Sequence, residues 1–134
     1  MITKFIKYIP ILDQLFRNNP ILLPKKEGVM RIVTLGDSIT EGSYSSNKKT
    51  KSYPSQLRKL LNDDNKFEVI NLGLGGRTMM KTGDLPYWNE PAYQDILNSE
   101  PDIVILMLGT NDSKSFQWNK KQFHNDYVEM VKNI

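Results

Sequence analysis

The sequence predicts an α/β fold built on a parallel sheet, and three observations lead there. From residue 28 onward, strand-like and helix-like segments alternate in the order β-α-β-α-β-α, which implies right-handed crossovers and helices on both faces of the sheet. The apolar run at residues 103–108 (IVILML) is unbroken, as suits a central parallel strand covered on both sides. Each strand-like segment also runs straight into a glycine-bearing turn.

Residues 1–27 come first and read as a peripheral arm with a short amphipathic helix at about residues 11–16. Pro10, Asp13, Gln14, Arg17, Asn18 and Asn19 interrupt its apolar residues and no Ala-x-Ala-like site follows, so it lacks the pattern of a secretory signal. Residues 29–35 (VMRIVTL) are β-branched and apolar and stop at Gly36, which predicts the first strand. The Ser-, Lys- and Asn-rich stretch 41–52 is expected to be a polar loop, with Lys48, Lys49 and Lys51 solvated. Tyr53, Pro54 and Ser55 open a helix, with Pro54 in the first turn where its missing N–H costs nothing. Leu57, Leu60 and Leu61, at i, i+3 and i+4, form its apolar face. The cluster Asn62-Asp63-Asp64-Asn65 ends it. Residues 67–70 (FEVI) make the second strand, followed by a loop in which Gly73, Gly75 and Gly76 demand unusual backbone angles or close approach. Residues 81–91 are irregular, 92–98 helical, and 103–108 form the third strand, closed by Gly109-Thr110-Asn111-Asp112. A final helix spans 120–134, with Phe123, Tyr127, Met130, Val131 and Ile134 as its apolar stripe.

Composition narrows the function. The chain has 134 residues, and 18 Lys+Arg against 15 Asp+Glu leave a net charge of +3. That is slight, and the basic residues are scattered, so nucleic acid is not an expected partner. Cysteine is absent, which excludes disulfides, thiolate metal sites and cysteine nucleophiles. One histidine and no acidic cluster argue against a metal. The longest apolar run falls far short of the roughly 20 residues of a spanning helix. With no export signal evident, the cytoplasm is the expected compartment. Nothing in the pattern specifies an oligomer.

The carboxyl ends of parallel strands lie on one edge, where open α/β sheets place their ligands. Periodicity therefore brings Ser38, the glycine loop and Asn111 into one neighbourhood. Taken singly, each has a plain explanation as a turn or cap. Together they offer a hydroxyl at a strand-to-loop turn, backbone N–H groups free of side chains, and an amide N–H₂. A nucleophile among neutral donors suits attack on a carbonyl and stabilisation of the oxyanion. The phosphate-loop and dinucleotide patterns are absent, so no cofactor is expected. Nor does Ser38 sit in a G-x-S-x-G elbow, since position 40 is Thr.

Residues 36–42 (GDSITEG) resemble the first signature block of the SGNH hydrolases, the GDSL esterase/lipase superfamily. Gly76-Arg77-Thr78, preceded by Asn71, resembles the second block, and Gly109-Thr110-Asn111-Asp112 the third. The resemblance implies a flavodoxin-like, three-layer α/β/α fold over residues 28–134, truncated at its C-terminal end. It implies Ser38 as nucleophile, with its own N–H, that of Gly76 and the Asn111 side chain forming the oxyanion hole, and Asp37 supporting the nucleophile turn. Residues 83–93 (GDLPYWNEPAY) and 112–114 (DSK) are similar to bacterial members described as sialate O-acetylesterase-like, which implies a small-molecule or carbohydrate acyl ester, O-acetyl above all.

The family completes its triad with an Asp-x-x-His block beyond two further strands, and nothing here matches it. The one histidine, His124, has Lys121 three residues before it and is expected to be a surface or packing residue. The base His and Asp are thus absent, and the chain reads as the front part of an esterase with little or no activity of its own. The alternative is a catalytically dead α/β module that keeps the pocket and only binds. Tyr53, Tyr87, Trp88, Tyr93 and Trp118 are expected to cover the core rather than stack on a sugar. Arg77 either touches substrate or faces solvent. Asp37 and Asp112 are read as turn supports, not a glycosidase pair.

Overall fold

The computed structural model describes residues 24–134. Most of the arm expected at residues 1–27, including its helix, lies outside the described residues. The elements are β1 (Met30–Gly36), α1 (Ser38–Glu41), α2 (Lys48–Lys51), α3 (Tyr53–Leu61), β2 (Phe67–Gly73), a 3₁₀ turn (Tyr87–Asn89), α4 (Pro91–Asn98), β3 (Ile103–Met107) and α5 (Lys120–Asn133). The three strands form one parallel sheet in the order β2-β1-β3. Gly36 pairs with Gly73 on one side and Met107 on the other, so all three strands end at the same level.

Alternate residues of the strands face opposite layers. Val33, Leu35, Ile70 and Leu72 join Met79, Tyr87, Ala92, Ile96 and Met130 in one buried cluster, with Val104, Leu106, Phe123 and Tyr127 packed against it. This places α4 and α5 on that face. Thr34 and Asn71 point the other way. There Tyr53 of α3 meets the Thr34 and Thr40 side chains, and the Asn71 amide donates to the Thr40 carbonyl. The result is three layers, α/β/α.

Four expectations are corrected. The apolar run of β3 marks an edge strand of the described sheet rather than the centre, and Ile103 and Met107 are exposed on it. β1 is central, although its strand carries a charge. The polar stretch 41–52 contains the single-turn helix α2 and the last residue of α1, both helices too short to show a periodicity. Leu60 points to solvent, because the buried side of α3 is centred on Pro54, Leu57 and Leu61, roughly 100° away from it. On α5, Val131 and Ile134 are likewise exposed, while Asp126 is buried.

The charge in the central strand is Arg31, 2% exposed. Its Nε donates to Glu68 Oε2 at 2.7 Å and its Nη1 to the Ser99 carbonyl at 2.7 Å, tying β1 to β2 and to the end of α4. The Arg31 N–H donates to Asp102, which also pairs with Lys25 at 2.7 Å. Arg31→Met removes one partner of a mostly buried network and should lower the unfolding free energy by about 2 kcal/mol, discounted for the partial exposure of Glu68. Urea denaturation checks this, and an unchanged midpoint would remove Arg31 from the account of stability.

Candidate active site

The turn after β1 is built by its own side chains. Asp37 is buried and caps α1, accepting the Ile39 N–H at 2.9 Å. The Ser38 carbonyl accepts the N–H groups of Gly42 and Ser43, which folds the chain back over the serine. Ser38 itself is half-exposed at the start of this turn.

The glycine loop after β2 approaches it closely. A Cβ on Gly73 would lie 2.3 Å from the Glu41 backbone nitrogen, so only glycine lets α1 settle over the end of β2. A Cβ on Gly75 would lie 3.8 Å from the Ser38 Cβ, which puts this loop against the serine. Gly76 has φ +80°, the left-handed region that side chains resist. The Gly75 N–H and the Ser43 hydroxyl both donate to the Glu41 carboxylate, which also pairs with Lys48 at 3.1 Å. Burial works to raise this carboxyl, but those three donors outweigh it and hold Glu41 below the usual glutamate range. Arg77 donates to the Gly75 carbonyl at 2.7 Å and pairs with Glu90 at 2.9 Å.

The turn after β3 grips the same loop from the far side. Asn111 Nδ2 donates to the Arg77 carbonyl at 3.0 Å. Asp112, completely buried, accepts the N–H of Met79 at 2.9 Å and that of Met80 at 2.7 Å. Asp126 of α5 continues the series by accepting the Lys81 N–H at 2.8 Å. Gln117 donates to the Asn111 carbonyl at 2.7 Å and accepts the Asp84 N–H at 2.8 Å. Ser38, Gly76 and Asn111 thus lie on three successive turns of one sheet edge, with the glycine loop held between the other two. His124 stands apart on the exposed side of α5. Among the described residues, no three His, Cys, Asp or Glu side chains come together as a metal site would need. No helix among them is long and apolar enough to cross a membrane.

The aromatics divide. Tyr87 is buried with its hydroxyl on the Leu72 carbonyl, and burial pushes its ionisation far up. Trp88 and Tyr93 stack at 5.1 Å against the core, and Tyr53 is half-buried. Trp118 departs from the expected core role and is 47% exposed.

Residues 34–134 match the family model described as the GDSL-like Lipase/Acylhydrolase family. The chain belongs to that family. It is 41% identical over 108 residues to an acetylxylan esterase of Xylanibacter ruminicola, an alignment covering 80% of this chain and 22% of the relative. A two-domain esterase active on acetylated mannans is similar at 29% identity and TM-score 0.59, covering 78% of this chain and 26% of that one. AlinE4, an SGNH-hydrolase family esterase, shares the fold at 24% identity and TM-score 0.56, covering 81% of this chain and 54% of its own. The chain therefore spans about a quarter to a half of the length of these GDSL-like relatives.

The carboxylates Asp112, Asp126 and Glu41 were not legible as partners of the glycine loop. Glu41 and Asp112 lie in or beside turns and Asp126 in the middle of α5, and which N–H each meets depends on how these segments pack. Asp112→Ala leaves two buried N–H groups unpaired and should cost about 2–4 kcal/mol of stability, read from the urea midpoint. Glu41 has a lowered folded-state pKa, so its contribution is complete above the ordinary carboxyl range, about 4.3, and is lost as pH falls through the folded value. The stability gap between wild type and Glu41→Gln should therefore be full at pH 6 and shrink below about pH 4. A gap independent of pH would show that Glu41 is not held this way.

Proposed function

We propose that this domain belongs to a serine ester hydrolase acting on O-acyl groups, O-acetyl on carbohydrate in particular. The observation that carries the reading is the glycine loop lying against Ser38 on one side and hydrogen-bonded to Asn111 on the other. Ser38 Oγ attacks the ester carbonyl and forms a tetrahedral oxyanion. The N–H groups of Ser38 and Gly76 and the second N–H of the Asn111 amide are the donors for that charge. Collapse expels the alcohol, which takes up a proton, and leaves an acyl-serine that water hydrolyses to the free acid. Asp37 holds the turn from which Ser38 acts. The acetylxylan-esterase and acetylated-mannan-esterase relatives support an acetylated polysaccharide as substrate.

Attack needs a base to take the serine proton, and residues 1–134 contain no Asp-x-x-His pattern. This favours the second reading, a binding module, for the chain acting alone. The two readings separate by experiment. Acetyl release from acetylated xylan by the 134-residue chain should be slow, of the order of the residual rate a damaged triad keeps over water, and should rise when imidazole is added as an external base. Ser38→Ala should abolish the imidazole-dependent part, and with imidazole present a fluorophosphonate should label Ser38 alone. Acetyl release indifferent to Ser38 would leave only the binding module. Rapid turnover without imidazole, lost in Ser38→Ala, would show that the chain supplies its own base.

A further inference from the structure

Tyr44 is fully exposed, and its backbone is left-handed at φ 68°. Such a conformation is unusual for a bulky residue and is retained only where the surroundings enforce it. The surroundings do so here: Ser43 N–H donates to the Ser38 carbonyl at 2.9 Å, and Ser45 donates to the Gly42 carbonyl through both its N–H at 3.1 Å and its hydroxyl at 2.6 Å. The residues on either side of Tyr44 are thereby fastened to the nucleophile turn. The backbone that carries the ring is fastened near Ser38, and the ring itself is fully exposed and contributes no burial to the fold. Further aromatic surface stands on the turn that follows β3: Phe116 is 75% exposed, and the half-exposed Trp118 is steadied by the Phe123 ring at 5.2 Å.

We infer that Tyr44, with Trp118 and Phe116 on the neighbouring turn, is a stacking platform for the pyranose rings of a carbohydrate chain whose ester lies at Ser38. This rests on the ester-hydrolase reading above and specifies how the alcohol side of the substrate is held. A rigid aromatic face offers large amphipathic contact area at little entropic cost. A pyranose matches it, with an apolar C–H face and a hydroxyl rim. A long aliphatic acyl chain would instead need a concave apolar enclosure, and flat, exposed rings do not make one. The groups flanking Tyr44 are neutral: the Ser43 and Ser45 hydroxyls donate to Glu41 and to the Gly42 carbonyl, the Asn47 Oδ1 accepts the Lys49 N–H, and the Ser46 hydroxyl is exposed and suited to a sugar hydroxyl. Lys48 beside them is engaged by Glu41.

The test is an NMR titration of the 134-residue chain with a partially acetylated xylo-oligosaccharide, and with glycerol triacetate as an ester lacking a ring. Tyr44→Asn removes the ring with a residue that tolerates the left-handed region, and should weaken the oligosaccharide roughly three- to tenfold while leaving triacetate binding unchanged. Tyr44→Phe, which keeps the ring, should bind as wild type. Tyr44→Asn should also match or exceed wild type in denaturant midpoint; a lower midpoint would mean that the ring serves the fold, and would overturn the inference. Equal oligosaccharide affinity in wild type and Tyr44→Asn would overturn it too, as would no binding by either. Ser38→Ala should retain oligosaccharide binding while losing fluorophosphonate labelling. Loss of the ring effect with Ser38 chemistry intact sinks only this inference, and loss of Ser38 chemistry with the ring effect intact sinks only the hydrolase reading.

Discussion

The buried carboxylate of Asp112 is the constraint on which the arrangement of the sheet edge rests. Among the described residues, no cation is one of its hydrogen-bond partners. Its charge is met by two consecutive backbone N–H groups, those of Met79 and Met80. Backbone donors of this kind are rigid, and a charge-assisted bond to each is stronger than a neutral one. The carboxylate thereby fixes where the loop after β2 lies relative to the turn after β3. The Asn111 contact to Arg77 needs that placement, since it joins the same two segments a few residues upstream. On the opposite side Glu41 does the equivalent for Gly75. The stretch 73–76 has a side chain only at Leu74, and it is held by acids contributed from both neighbouring turns, while Met79 and Met80 beyond it are fully buried.

How much of this was readable in advance follows from the range of the interactions. The three strands and the longer helices declared themselves through local patterns: β-branched runs, Pro at a helix start, glycine at each strand end. The level alignment of Gly36, Gly73 and Met107 follows from parallel pairing, so the neighbourhood of Ser38 and Asn111 was legible too. The order of strands was not. An apolar run reads alike at the centre and at an edge, and β3 took the edge while β1, with Arg31 in it, took the middle. Arg31 was masked for the same reason: local pattern marks it as a polar interruption, and its burial is tolerated through distant partners such as Glu68 and Ser99. Tyr44 left no trace, because the hand of its backbone is imposed by hydrogen bonds to Ser38 and Gly42.

The relatives and the geometry bear on different parts of the reading. Family membership rests on residues 34–134 as a whole, whereas the reaction rests on a handful of groups on one edge. The same acids that hold the glycine loop leave its N–H at Gly76 outside their reach. Gly75 is taken by Glu41, and Met79, Met80 and Lys81 by Asp112 and Asp126. A row of backbone donors is thus nearly all assigned to structure, and the Gly76 N–H between them is the one on which the proposed reaction draws.

The position of β3 has a consequence for motion. Protection of amides against exchange with solvent deuterium follows how often each segment opens, and strands paired on both sides open least. β1 is such a strand, and Ser38 leaves directly from it. Asn111 leaves from β3, which among the described residues is paired on one side only. Ser38 is therefore carried by the stiffest part of the sheet and Asn111 by a more yielding one. Any partner that stiffened the outer border of β3 would sharpen the alignment of the two without touching either.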